Sequence, residues 1–363
     1  MTAEPALPVR AELMGVTPYG APQVDARVRL NVNENPYAPS EQVAHQMSEA
    51  VGAVARDLNR YPDREASALR ADLAGYLGHG LGPERVWVAN GSNEIMLQVL
   101  EAFGGPGRQA LSFAPTYSMY PEYARNTSTG WMTDDRTASF EVDAERACAS
   151  IERERPDVVL LASPNNPTGT ALPLDVTRAI CDVAPGVVVV DEAYAEFRRA
   201  GTPSALSLLD DYPRLAVTRT MSKAFALAGG RVGYLAADRA FVDALRVVRL
   251  PYHLSSVTQA VARVALANNA ELLTRVDDLR AERDRLVSWL RASGFVAADS
   301  DANFVLFGRF ADRHVVWQGL LDRGVLIRET GPDGWLRVSV GTPEEMAAFK
   351  HALTAVHTEE AGP

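Results

Sequence analysis

Apolar runs of strand length alternate with segments of helical period from about Ser40 onward. The four valines of residues 187–190 suit a strand that is buried on both faces of a sheet. Strands alternating with helices in this rhythm are typical of βαβ units, so the pattern predicts an α/β fold with a mostly parallel sheet. The remaining predicted strands lie at residues 85–89, 157–162, 215–218 and 232–236, and the helices at 65–77, 92–103 and about 174–184.

The pattern changes after about Pro251. A helical stripe of leucine and valine is typical of a core face, and short strands are predicted at residues 304–307, 325–327 and 336–340. We therefore predict a small α+β domain at residues 251–363 and a large domain at 41–250, preceded by an extended arm at 1–40. The stripe consists of Leu272, Val276, Leu279, Leu286 and Leu290.

The composition of the chain argues against several kinds of binding partner. The 363 residues carry 36 Lys and Arg against 46 Asp and Glu, a net charge of −10 without a basic tract, so we expect no nucleic-acid partner. The sequence has no membrane-length apolar segment and no signal-peptide pattern, and its six histidines form no metal-binding pair, so we expect no membrane contact and no metal. Cys148 and Cys181 form no disulfide framework, which favours a reducing cytoplasm.

Polar residues follow the predicted strands at positions suited to a ligand, since parallel sheets bind ligands beyond the carboxyl ends of their strands. Lys223 is either a surface lysine or a Schiff-base lysine whose pKa is lowered by partial burial. Arg231 follows two glycines and could grip a phosphate. Asp191 either caps a helix, forms a salt bridge, or pairs with a protonated pyridine nitrogen.

Two further segments allow a functional or a structural interpretation. Ser92 and Asn93 begin a predicted helix, whose free N–H groups would bind phosphate, although these residue types also cap helices routinely. Tyr117 follows a proline turn and either stacks on a flat ring or belongs to the core.

The ordered motifs of residues 91–231 resemble those of the fold-type I aminotransferases that use pyridoxal 5'-phosphate. They read GSNE, PTY, SPNNPTG, VVVVDEAY, TMSK and AGGR. Further segments are similar to the histidinol-phosphate aminotransferase family, and the resemblance covers nearly the whole chain. These segments are PYG at 18–20, RLNVNENP at 29–36, RYPD at 60–63, LPYHLSS at 250–256, DANF at 301–304 and LRVSVG at 336–341.

The resemblance implies a role for each residue of the cofactor site. Lys223 would form the Schiff base and move the proton, and Asp191 would pair with the pyridine nitrogen. Asn166 and Tyr194 would bond the 3-oxygen of the ring, on which Tyr117 would stack. The phosphate would be held by Ser92, Asn93, Ser222 and Arg231, with Thr220 close by.

The resemblance also implies a homodimer and a substrate pocket. Tyr61 would reach the cofactor phosphate of the neighbouring subunit. The substrate would be bound by Arg337, Arg328, Tyr19, Asn33 and Asn166. The implied reaction transfers an amino group between L-histidinol phosphate and 2-oxoglutarate.

Alternative functions share part of this pattern. An aromatic amino-acid aminotransferase would carry nearly the same cofactor motifs, and so would a phosphothreonine decarboxylase, which is a lyase. A hydrolase with Ser222 as nucleophile and Lys223 as base would leave Asp191 and Arg231 unexplained. A non-catalytic cofactor-binding module would need an attached effector segment, which the sequence does not suggest.

Overall fold

The computed structural model describes residues 7–361, with side chains through residue 359. Twelve strands lie in this part of the chain. They are β1 (Val28–Arg29), β2 (Val86–Ala89), β3 (Gln109–Ala114), β4 (Gly130–Asp135), β5 (Val158–Ala162), β6 (Val187–Asp191), β7 (Leu215–Thr220), β8 (Gly233–Ala237), β9 (Val296–Ala297), β10 (Phe304–Gly308), β11 (Val325–Leu326) and β12 (Trp335–Ser339).

Twelve α-helices connect and cover the strands within the same described residues. They are α1 (Glu41–Ala55), α2 (Ser67–Leu77), α3 (Ser92–Phe103), α4 (Tyr120–Asn126), α5 (Ala144–Glu154), α6 (Leu174–Val183), α7 (Arg239–Val248), α8 (Ser256–Ala267), α9 (Asn269–Leu272), α10 (Thr274–Ala292), α11 (Arg313–Asp322) and α12 (Pro343–Ala361). None of the described helices is long and apolar enough to cross a membrane.

A seven-stranded sheet in the order β2-β8-β7-β6-β5-β3-β4 forms the centre of the fold. The pairs from β7 to β4 are parallel, whereas β8 runs antiparallel to both of its neighbours. This sheet confirms the predicted α/β architecture. Because β8 runs the opposite way, its first residue lies at the edge where the other strands end.

Both faces of this sheet are buried. Val188 and Val190 belong to one apolar cluster, and Val187 and Val189 belong to the cluster on the opposite face. The two-sided burial predicted for the valine run is therefore confirmed, and it leaves the polar strand ends as the place where ligands can enter.

The helix predicted from residue 65 begins two residues later, at Ser67. The Asp63 carboxylate accepts hydrogen bonds from the backbone N–H groups of Glu65 and Ser67, at 2.9 and 2.7 Å. The Glu65 carboxylate also pairs with Arg246 and Arg249, at 2.9 Å each. These bonds hold Glu65 in the preceding turn and outside the helix.

The C-terminal part forms an apolar cluster of its own, separate from the two on the faces of the central sheet. The strands β9, β10 and β12 form an antiparallel sheet, and side chains of α10, α11 and α12 pack on it. The arm joins this part because β1 pairs in parallel with β11. The helix α8 packs against α1 and α2 instead. The division of the chain at residues 40 and 250 stays a prediction.

The leucine stripe is buried, as predicted, but it is divided between two helices. Leu272 ends the short helix α9, and the other four residues lie on α10. Cys148 and Cys181 are free thiols.

Candidate active site

A cavity of about 450 Å³ opens at the edge where the parallel strands end. Every site residue predicted from the sequence lines it, with the exception of Tyr61. The lining residues among them are Tyr19, Asn33, Ser92, Asn93, Tyr117, Asn166, Asp191, Tyr194, Thr220, Ser222, Lys223, Arg231, Arg328 and Arg337. No cluster of metal-ligating side chains was found in the described residues.

The N-terminus of α3 forms one wall of the cavity. The helix begins at Ser92 after Gly91, whose φ is +83°, and no side chain caps it. A Cβ on Gly233 would collide with backbone atoms of Gly91 and Ser92, and one on Gly91 would lie 2.5 Å from the Arg231 guanidinium. The two glycines therefore let α3 approach β8 and Arg231 closely.

Hydroxyl groups and a guanidinium complete this wall. Arg231 Nη1 donates to Ser222 Oγ at 3.4 Å and to the Ala228 carbonyl at 3.0 Å. The Thr220 hydroxyl lies 3.0 Å from Ser222 Oγ. We call the set Ser92, Asn93, Thr220, Ser222 and Arg231 the anion cradle, because helix N-termini and arginines both favour a bound phosphate.

The carboxylate of Asp191, the last residue of β6, is buried at the base of the cavity. It accepts hydrogen bonds from Tyr120 Oη (3.1 Å), Ala193 N (3.2 Å) and Thr218 Oγ1 (3.3 Å). Burial raises the pKa of Asp191 to about 6 despite these bonds. Among the ion pairs of residues 7–361, none involves Asp191, so a cationic ligand atom would be stabilised beside it.

Lys223 follows the end of β7, and its Nζ donates to the Val32 carbonyl at 2.8 Å. Burial, together with the charges of Arg337 and Arg231, lowers the pKa of Lys223 to about 8, whereas the charge of Glu34 opposes the shift. The amine is therefore a better base and nucleophile at neutral pH than an exposed lysine.

Tyr194 lies in a network of amides. Its hydroxyl oxygen accepts hydrogen bonds from Asn33 Nδ2 at 3.0 Å and from Asn166 Nδ2 at 3.4 Å. Asn33 also bonds Ser339 through its backbone N–H and its side-chain oxygen. The Asn33 amide is thus held by protein groups on both sides, while it lines the cavity.

Arg328 and Arg337 form a backbone pair with N–H to carbonyl distances of 3.0 and 2.9 Å. Arg337 donates to Asn166 Oδ1 at 2.6 Å and to the Asn31 carbonyl at 2.8 Å, and Arg328 donates to the Gly20 carbonyl at 3.2 Å. Arg337 Nε and Arg328 Nη1 are buried and have no hydrogen-bond partner among the described residues. Unpaired donors on two adjacent cations are suited to an anion.

Two tyrosines that line the cavity form hydrogen bonds with neighbouring side chains. Tyr19 Oη lies 2.8 Å from Ser118 Oγ, and Tyr117 Oη donates to Asn93 Oδ1 at 3.5 Å. Tyr61 lies outside the cavity of its own chain, where it is 79% exposed and stacks on Tyr252 with ring centroids 4.3 Å apart.

Sequence reasoning missed several residues of the site. Tyr120 and Thr218 bond Asp191, while Glu34 and Ser118 line the cavity. Glu34 lies inside the RLNVNENP motif of residues 29–36, but Tyr120 and Thr218 lie in no local pattern that points to Asp191. The parallel register of β6 and β7 pairs Thr218 with Asp191, whereas Tyr120 reaches Asp191 from α4.

The family model for aminotransferases of class I and II matches residues 26–353. The chain belongs to this family. It is therefore an aminotransferase, and the hydrolase and the non-catalytic module are excluded.

Relatives and solved structures agree with this assignment. A histidinol-phosphate aminotransferase of Thermobifida fusca is 65% identical over 347 residues, which are 96% of this chain and 95% of that protein. A histidinol-phosphate aminotransferase 3 of Burkholderia lata is 60% identical, with 96% of each chain covered. The crystal structure of the histidinol-phosphate aminotransferase from Sinorhizobium meliloti, in complex with pyridoxal-5'-phosphate, has a TM-score of 0.87 at 24% identity and covers 98% and 99% of the two chains. That likeness confirms the predicted fold type.

Gly233→Ala should weaken the binding of pyridoxal phosphate by tenfold or more, because the added Cβ pushes the N-terminus of α3 away from the other residues of the anion cradle. Equilibrium dialysis of the cofactor measures the effect. Gly75→Ala is the matched control, since a Cβ there meets nothing within 4 Å. Equal affinities in Gly233→Ala and the wild type would show that this close approach does not shape the cradle.

Lys223→Met should change how stability depends on pH in the cofactor-free protein. The native pKa of Lys223, about 8, lies below the ordinary 10.5, so the unfolded chain binds more protons between these values and the wild type gains stability as pH rises through that window. The stability of the variant relative to the wild type should therefore fall by about 2 kcal/mol between about pH 7 and about pH 9.5. Urea unfolding measures both proteins, and a constant difference would contradict the lowered pKa.

Proposed function

We propose that the chain transfers the amino group of L-histidinol phosphate to 2-oxoglutarate, yielding imidazole acetol phosphate and L-glutamate in histidine biosynthesis. Pyridoxal 5'-phosphate is the cofactor. The observation that carries the substrate proposal is the pair of unpaired donors on Arg328 and Arg337, in the same cavity as Lys223. The names of the relatives that are 60 and 65% identical over nearly the full length support it.

The residues of the cavity fit this cofactor. The anion cradle suits its phosphate, and the close approach permitted by Gly91 and Gly233 leaves the N–H groups of α3 open toward it. Asp191 is a buried carboxylate that forms no ion pair among the described residues, which suits a protonated ring nitrogen. Lys223 suits the covalent attachment of the cofactor, because its amine is partly deprotonated near neutral pH.

When bound, pyridoxal phosphate supplies the electron sink that makes the Cα proton of the substrate acidic. Asp191 would hold the positive charge at the ring nitrogen that keeps this sink effective. Tyr194 and Asn166 would bind the ring at its 3-oxygen, and Tyr117 would hold its face. Lys223 Nζ accepts the proton from the substrate and later returns it, which its lowered pKa favours.

Both substrates carry an anion that one site can hold. The phosphate of histidinol phosphate would bind Arg337 Nε and Arg328 Nη1, and a carboxylate of 2-oxoglutarate would take the same place in the second half-reaction. The planar guanidinium fork suits both kinds of anion. Tyr19 and Asn33 would complete this pocket.

The active unit is a homodimer in this proposal, with Tyr61 reaching the cofactor phosphate of the neighbouring subunit. Its side chain is exposed and outside its own cavity, and it is accompanied by exposed apolar side chains. Such apolar surface is typical of an interface between protein chains. These side chains are Leu58, Val247, Leu250 and Tyr252. We place the enzyme in the cytoplasm, with small molecules as its other partners.

The visible absorbance of the holoenzyme, titrated with amines, tests the substrate. L-Histidinol phosphate should bleach the band at concentrations more than about a hundredfold below those of L-histidinol or L-phenylalanine, a difference of about 3 kcal/mol. Arg337→Ala should remove most of the advantage that the phosphate gives over L-histidinol.

Three results would contradict the assignment. Equal or better bleaching by L-phenylalanine indicates the aromatic aminotransferase, and release of carbon dioxide from O-phospho-L-threonine indicates the decarboxylase. A purified protein that shows no visible band with added pyridoxal phosphate would overturn the cofactor assignment.

Tyr61→Phe should raise the dissociation constant of pyridoxal phosphate about tenfold, because a hydrogen bond to a charged phosphate is lost. Mixed dimers of Tyr61→Phe and Lys223→Ala subunits provide the control. The intact Lys223 site of such a dimer lies in the Tyr61→Phe subunit. If Tyr61 acts across the interface, that site receives the unchanged Tyr61 of its partner and keeps the wild-type affinity. Weakened affinity at that site would mean that Tyr61 serves its own subunit.

A further inference from the structure

Ser339, at the end of β12, has no role in the reaction described so far. It is buried and lies two residues beyond Arg337, on the same face of the strand. Its Oγ accepts a hydrogen bond from the Asn33 N–H at 2.9 Å and donates one to Asn33 Oδ1 at 2.8 Å. The Ser339 hydroxyl therefore bonds both the backbone N–H and the side-chain oxygen of Asn33.

The hydrogen bond from Ser339 Oγ to Asn33 Oδ1 fixes the orientation of the Asn33 side-chain amide. Since Oδ1 faces the Ser339 hydroxyl, Nδ2 must face Tyr194 Oη, 3.0 Å away. The second amide is fixed in the same way from the same strand. Arg337 donates to Asn166 Oδ1 at 2.6 Å, which turns Asn166 Nδ2 toward Tyr194 Oη at 3.4 Å.

Two N–H groups thus point at one phenol oxygen. A phenol has one proton to donate, and with the acceptor side of Tyr194 Oη occupied by two donors, that proton is left to point toward another acceptor. Tyr194 and both amides line the cavity, so the acceptor within reach is a ligand in the cavity.

We propose that Ser339 is a positioning residue that, through Asn33, makes Tyr194 a hydrogen-bond donor to the ring oxygen of the cofactor. The inference rests on the proposed function for the identity of that ring. The directions of the two hydrogen bonds to Tyr194 Oη do not depend on that identity, because they are set by Ser339 and Arg337, which both lie on β12.

A purely structural role for Ser339 would be to anchor the arm. Two other contacts hold this segment without the hydroxyl, since Asn303 Nδ2 donates to the Asn33 carbonyl at 3.1 Å and Ser339 N donates to the Leu30 carbonyl at 2.9 Å. Ser339→Ala should therefore fold and keep the arm in place, while the Asn33 amide loses its fixed direction.

The experiment compares the pH midpoint of the visible absorbance of holoenzyme variants. The variants are Ser339→Ala, Ser339→Thr, Tyr194→Phe, Asn33→Ala and the double variant Ser339→Ala/Tyr194→Phe. Ser150→Ala is the matched control, because Ser150 is equally buried and its Oγ accepts a hydrogen bond from Arg153, outside the cavity. Thermal unfolding of each cofactor-free variant reports on its fold.

Ser339→Ala should move the midpoint by about 0.5 pH unit in the direction of Tyr194→Phe, as expected for one neutral hydrogen bond. Asn33→Ala should do the same, and it tests the idea even if a Ser339 variant fails to fold. Ser339→Thr keeps the hydroxyl and should keep the wild-type midpoint, as should Ser150→Ala. The double variant should match Tyr194→Phe alone.

A wild-type midpoint in both Ser339→Ala and Asn33→Ala would overturn the proposal, as would an equal shift from Ser339→Ala with and without Tyr194. These readouts need no substrate. A failure of the wild type to react with L-histidinol phosphate would therefore reject the proposed substrate and leave this inference standing, whereas the absence of a visible band would reject the cofactor.

Discussion

The carboxylate of Asp191 is buried at the end of the central strand without an ion pair among the described residues, and the cavity surrounds this unbalanced charge. Transferring an unpaired carboxylate from water into a protein interior costs several kcal/mol. The hydrogen bonds from Tyr120, Ala193 and Thr218 offset only part of that cost, because the pKa of Asp191 still rises to about 6. A ligand that brings a positive charge to this point relieves the rest, so cofactor binding and folding stability are coupled.

The next residue shows the opposite arrangement. Glu192 is equally buried, but it pairs with Arg219 at 2.8 Å and Arg198 at 3.2 Å and accepts hydrogen bonds from Ser204 and Ala205. Its pKa is lowered, because the two guanidinium charges outweigh the effect of burial. Side chains alternate across a strand, so one carboxylate is compensated by the protein and its neighbour is left for the ligand.

Local sequence patterns predicted the elements that carry the site. The valine run, the helix from Ser92 and the strand before the Lys223 loop all lie where the pattern placed them. Their common edge follows from the rule for parallel sheets, which explains why residues far apart in the chain line one cavity. The start of α2 was placed two residues too early, because the turn at Asp63 and the ion pairs of Glu65 are tertiary contacts with weak local patterns.

The contacts between the predicted residues could not be obtained from the sequence. Asn33 was expected to bind substrate, but the structure also joins it to Ser339, 306 residues later in the chain. That contact depends on how the arm packs against β12. The bond between Tyr120 and Asp191 likewise depends on the packing of α4 against the sheet. Pattern thus identifies the chemical groups, and tertiary packing decides which of them touch.

The arm and the proposed anion site use different nitrogens of the same two arginines. Arg328 and Arg337 each donate through Nη2 to a backbone carbonyl of the arm, at Gly20 and Asn31. Each also carries a second buried donor that has no partner among the described residues. A guanidinium fork holds phosphate and carboxylate alike, so the arginines alone do not separate a phosphorylated amine from an oxoacid. The selection between substrates must come from groups around the rest of the ligand. Because the arm is bonded to the same two arginines, an anion on their remaining donors would lie beside the arm, whose Tyr19 also lines the cavity.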